Sequence, residues 1–144
     1  MPEPIACSAC LLGIACKYDG GSNFDPAVLR FLAGRRVVPV CPEVLGGLPT
    51  PRIPCEIQPD GTVRNRAGED VTAFFERGKQ AALALLQKEG CREVLLKDGS
   101  PSCGFSRIYD GTFTNRRIPG MGITARYLKD HGITILDIRE KGQR

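Results

Sequence analysis

Two hydrophobic periods alternate along the chain. Apolar runs of strand length stand at residues 4–8 (Pro-Ile-Ala-Cys-Ser), 37–40 (Val-Val-Pro-Val), 93–97 (Glu-Val-Leu-Leu-Lys) and 133–138. Between them lie stretches whose apolar positions recur near helical spacing. Asp25 and Pro26 suit an N-cap and a first helical residue, which predicts a helix over 26–33 with Gly34 as its stop. Asp70 is expected to cap a long helix over 71–89 that Gly90 ends, with Val71, Phe74, Phe75, Ala82, Leu85 and Leu86 near one stripe. A further helix is predicted over 123–129, ahead of Gly132. Residues 42–68 break the alternation and read as a loop and a small hairpin turning at Pro59-Asp60-Gly61. The whole predicts a single α/β domain over residues 1–144: a mostly parallel sheet of about four strands, a small hairpin, and helices on the sheet's faces. In such sheets ligands bind beyond the carboxyl ends of the strands.

Composition narrows the class. The 144 residues are 42% hydrophobic and 25% charged, an ordinary globular mix that excludes a disordered tail or a coiled coil. No apolar run approaches the roughly 18 residues of a membrane span. The N-terminal residues lack the basic and long apolar regions of a secretory signal, so a cytoplasmic protein is expected. The net charge of +4 is weak support for an anionic partner, because the longest basic cluster is Arg116-Arg117 and no basic stripe is present. Seventeen Gly and 11 Pro point to long structured loops.

Seven cysteines change the picture. They are Cys7, Cys10, Cys16, Cys41, Cys55, Cys91 and Cys103, an odd number that complete internal pairing cannot satisfy. In a reducing compartment they read as metal ligands, reactive thiols or small buried side chains. Cys10 follows the first predicted strand, Cys41 the second and Cys103 the third, 31 and then 62 positions apart. Parallel strands would bring these three loops to one sheet edge. Three thiolates with an open position suit an iron–sulfur cluster or a catalytic zinc. Only Cys7 and Cys10 form a CxxC, and His131, the single histidine, sits at a predicted helix end with a surface role.

Several polar residues would stand beside such a site. Glu43, two residues after Cys41, could act as a general base on water next to a Lewis-acid metal. Ser100 and Ser102 bracket Pro101 ahead of Cys103 and could orient a substrate oxygen or a water. Lys97 and Asp98 precede that loop as supporting groups. Gly120-Met121-Gly122 could present backbone donors to an anion or a carbonyl. Tyr18-Asp19-Gly20 reads as a turn with the Tyr packed.

At these residues the chain resembles the thiouracil desulfurase (TudS) family, formerly a domain of unknown function. The stretches that carry the resemblance are SACLLGIACKYDGGSN from Ser8, VCPEVLGGLPTPR from Val40, LKDGSPSCG from Leu96, and YDGTF with IPGMGITARYL from Tyr109 onward. The resemblance implies a [4Fe-4S] cluster held by Cys10, Cys41 and Cys103, with one iron free of protein ligand. It implies non-redox, net hydrolytic exchange of sulfur for oxygen on a thiolated pyrimidine, of thiouracil or 4-thiouridine type, with release of sulfide. By position Glu43 is the expected acid/base, helped by Ser100 or Ser102, with Ser100 favoured; the other four cysteines fall outside the cluster set. The expected partner is a small thiolated base or nucleoside. Transfer RNA is permitted by the charge, although no appended RNA-binding domain is seen. The other readings are a zinc protein using Cys7 with Cys10, and a redox-sensing cysteine module without desulfidase activity.

Overall fold

The structure is a computed structural model, and it describes residues 3–137; the expected strand residue Ile138 and the polar tail lie outside the described residues. The chain runs through β1 (Ile5–Ser8), a 3₁₀ turn (Ala9–Leu12), α1 (Pro26–Phe31), β2 (Val37–Val40) and α2 (Pro42–Leu45). It continues through β3 (Cys55–Ile57), β4 (Val63–Asn65), α3 (Thr72–Glu89) and β5 (Glu93–Leu95). The last elements are β6 (Arg107–Tyr109), β7 (Arg117–Pro119), α4 (Ile123–Asp130) and β8 (Thr134–Leu136).

The apolar runs form one four-stranded sheet in the order β2-β1-β5-β8, and every pairing in it is parallel. The period of two along β1 decides what each face buries. Ile5 and Cys7 pack with Val28 and Leu32 on the α1 side. Ala6 packs with Leu86, Ala125 and Leu128 on the side of α3 and α4. Helices thus cover both faces, which explains why the strands read as continuous apolar runs.

The details differ from expectation where tertiary contacts intervene. A second hairpin, β6–β7, joins the expected β3–β4 hairpin around Pro59-Asp60-Gly61. The presumed loop after Cys41 holds the short helix α2, which Pro42 opens with its preset φ. Asp25 caps α1 through its carboxylate, which accepts the Ala27 N–H at 2.9 Å. Asp70 stands one place further out than a cap, because α3 begins at Thr72; its carboxylate accepts the Thr72 N–H at 2.9 Å and the Thr72 hydroxyl at 2.6 Å. Among the described residues no helix is long and apolar enough to cross a membrane.

One contact fixes α2. A Cβ on Gly78 in α3 would lie 2.2 Å from the Pro42 carbonyl oxygen, and a Cβ on Gly46 would lie 2.0 Å from the Phe74 carbonyl oxygen. The two backbones therefore touch directly. Helix propensity alone would favour Ala over Gly at position 78 by about 1 kcal/mol. We expect the reverse: Gly78→Ala should lower stability by roughly 2–3 kcal/mol in urea titration, since the added methyl meets backbone that cannot yield without moving α2. A stability equal to or above that of the parent would show that α2 can move freely away from α3.

Candidate functional site

The strand order places the ends of β2, β1 and β5 side by side, and their following loops meet over one edge of the sheet. Cys10 comes from the 3₁₀ turn after β1, and Cys41 directly follows β2 as the N-cap residue of α2. Cys103 comes from the turn after β5. All three line one cavity of about 330 Å³. None of the seven cysteines is paired. Burial pushes the Cys10 and Cys103 thiols up from their ordinary range, against hydrogen bonds from Asn23 and Ser8 respectively. The thiolate is the form that binds metal, so loading such a site must release protons.

The loop that carries Cys103 is knotted from within. Asp98 accepts the backbone N–H groups of Gly99, Phe105, Ser106 and Arg107 at 2.9–3.3 Å and the Ser106 hydroxyl. Burial opposes its charge, but the Ser106 hydroxyl and the backbone donors outweigh that and hold the carboxyl at about 2. A depressed carboxyl contributes stability above its ordinary value of 3.8 and loses it as pH falls through about 2, so the knot is intact throughout the neutral range. Ser100 Oγ accepts the N–H of Cys103 at 2.7 Å and of Ser102 at 3.2 Å. Both lone pairs are therefore occupied, and the hydroxyl has only its proton to offer the cavity that Ser100 lines. Ser102 is 1% exposed, is absent from the cavity wall, and its Oγ has no hydrogen-bond partner among the described residues.

Glu43 lines the cavity beside Cys41 and is held by Arg52, whose Nε lies 3.1 Å from Oε1. The two side chains are 13% and 6% exposed, which removes most of the solvent screening that weakens surface pairs. Arg52 also donates to the Pro49 carbonyl and the Thr50 hydroxyl, so the guanidinium is fixed on three sides. The unexpected hairpin adds Tyr109 and Arg117 to the wall, with Asn115 from the loop between its strands. It is anchored by buried Glu56, whose Oε1 accepts the N–H groups of Gly111 at 2.9 Å and Phe113 at 3.1 Å.

Other expected residues fall into place or out of it. Lys97 and Asp98 line the cavity, and Lys97 Nζ donates to the Asp98 carbonyl at 2.8 Å. Tyr18 is in the expected turn but is 43% exposed at the cavity rim instead of packed. The Gly120-Met121-Gly122 segment is absent from the cavity wall, and the N–H groups of Gly120 and Gly122 are taken by the Ser106 and Gly104 carbonyls. His131 ends α4 on the surface, its ring against Tyr127. Cys7 is fully buried under α1, while Cys16 and Cys55 also line the cavity. Arg52, Asn23 and Cys55 had no assigned part from sequence. The first two sit inside the SACLLGIACKYDGGSN and VCPEVLGGLPTPR stretches, which was the one available signal.

Every candidate ligand is a soft thiol, the donor class of iron–sulfur clusters. No three His, Cys, Asp or Glu side chains among the described residues close on a single ion. The cavity that the three thiols line, about 330 Å³, has room for a polynuclear centre. Comparison with known proteins agrees. A family model described as 2-thiouracil desulfurase matches residues 5–140. The uncharacterized protein YbbK of Bacillus subtilis (strain 168) is 37% identical over 145 residues, covering 94% of this chain and 96% of that protein. The solved structure of the [4Fe-4S]-dependent thiouracil desulfidase TudS (DUF523Vcz) superimposes with a TM-score of 0.89 at 45% identity, over 98% of this chain and 94% of that one. The fold that carries this thiol-lined edge is matched over nearly its whole length, and this protein belongs to the 2-thiouracil desulfurase family.

Proposed function

We propose that this protein exchanges sulfur for oxygen on a thiolated pyrimidine, thiouracil or 4-thiouridine in type, and releases sulfide. The cofactor is a [4Fe-4S] cluster held by Cys10, Cys41 and Cys103 alone. The observation that carries the reading is the meeting of three thiols with Glu43 and Ser100 in one cavity. When bound, the cluster supplies an iron without protein ligand, a soft Lewis acid suited to a thiocarbonyl sulfur. The chain's own groups do the rest. Glu43, oriented by Arg52, takes a proton from the attacking water at its carboxylate. Ser100 offers its hydroxyl proton to the water or the substrate oxygen and so fixes the angle of attack. The proton held on Glu43 returns to the departing sulfur. The balance is thiouracil plus water to uracil plus hydrogen sulfide, and no electrons are exchanged. A small base or nucleoside in the cytoplasm is the proposed substrate, with transfer RNA as the larger alternative.

The direct test is anaerobic reconstitution with iron and sulfide, followed by addition of 2-thiouracil or 4-thiouracil. Roughly four irons per chain, with uracil and sulfide appearing in equal amounts, is the expected result. Iron uptake with no turnover on either base would move the substrate to thiolated RNA, whose binding would weaken steeply with salt. Zinc bound in place of iron would overturn the reading.

A further inference from the structure

We propose that Asn23 and Ser8 are positioning residues that each give one hydrogen bond to one candidate ligand sulfur, on Cys10 and Cys103 respectively. They set how tightly the cluster is held and how readily it accepts an electron. The inference rests on the three-cysteine reading above.

Asn23 grips Cys10 at both ends. Its side-chain Nδ2 lies 3.3 Å from Cys10 Sγ, and its backbone N–H donates to the Cys10 carbonyl at 2.9 Å. Nδ2 carries only protons, so the direction of this bond is fixed. Ser8 is 2% exposed, and its Oγ already accepts the Lys97 N–H at 2.9 Å. That leaves its own proton to donate, and Cys103 is the acceptor. Amide and hydroxyl thus serve one sulfur each, and the proposed reaction uses neither. Donors to ligand sulfurs stabilise negative charge on them, favour the reduced cluster, and orient the ligand. Removing one should weaken the hold on iron and make the reduction potential more negative.

The experiment compares wild type with Asn23→Leu and Ser8→Ala after anaerobic reconstitution. It reads iron loss to excess chelator, the reduction potential, and the unfolding midpoint of the cluster-free protein. Asn23→Leu and Ser8→Ala should each lose iron about 10-fold faster or more and shift to lower potential. Asn23 is half-exposed, so its variant leaves the core intact and its potential is decisive. A wild-type potential and chelation rate in Asn23→Leu would overturn the inference while leaving the cluster reading standing. Failure of wild type to take up iron would overturn both.

Discussion

Alanine at Cys10, Cys41 or Cys103 is expected to leave the reconstituted protein without iron, without visible cluster absorption and without turnover. The three thiols come from three loops, so no neighbouring side chain can replace a missing one without moving a strand end. Cys16 and Cys55 reach the same cavity, yet burial pushes their thiols up to about 12 and about 11, which disfavours the thiolate a substitute ligand needs. Cys91→Ala is the contrasting variant. Cys91 is 3% exposed at the amino end of β5, away from the carboxyl edge where the cavity lies, and packs with the core under α3 and α4. Its loss should cost about 1 kcal/mol of stability and leave the iron content unchanged. Loss of iron from Cys91→Ala alone would show that the ligand set is different.

Glu43→Gln should separate cluster from chemistry. The amide preserves shape and keeps one oxygen facing Arg52, so the buried guanidinium retains an acceptor. The cluster should load to the same iron content with the same spectrum. Turnover should fall by about 10²–10⁴-fold, the usual contribution of a positioned proton-transfer group. The check is kcat on thiouracil beside iron content in one preparation. Full activity would make Glu43 a partner that merely holds Arg52 in place.

The parts of this architecture readable from sequence are those set by local rules. Four apolar runs and the alternation of strand and helix were enough to bring Cys10, Cys41 and Cys103 to one edge, because parallel strands leave little freedom in where their loops emerge. Asp25 before Pro26 announced a cap that the Ala27 N–H confirms. What stayed hidden depends on distant partners. The strands β6 and β7 are three residues each and mostly exposed, too short for a period of two to show. They are held by Asp98 at one end and Glu56 at the other, contacts no window of sequence contains. Ser100 and Ser102 are chemically alike and flank the same proline. Only the fold of the turn sends Ser100 to the cavity and buries Ser102 away from it. Arg52 is nine residues from Glu43 across two turns, and its pairing follows from how those turns fold.

The crossing of α2 and α3 has a consequence for accuracy. Where Gly46 and Gly78 meet, main chain rests on main chain with no side chain between. Side chains hop among rotamers and shift when a neighbour is replaced, but peptide units have almost no such freedom. The seat beneath Cys41 and Glu43 therefore has no adjustable parts. A carboxylate in the role proposed for Glu43 must be held to within about half an ångström of its productive position, and contact of backbone on backbone supports it where a flexible side chain could not. Substitutions among the apolar residues around Leu83 and Leu86 can accumulate within the usual volume limits without tilting the turn. The two glycine positions form a datum against which the reactive edge is measured, and that datum stays put while the interior is rewritten.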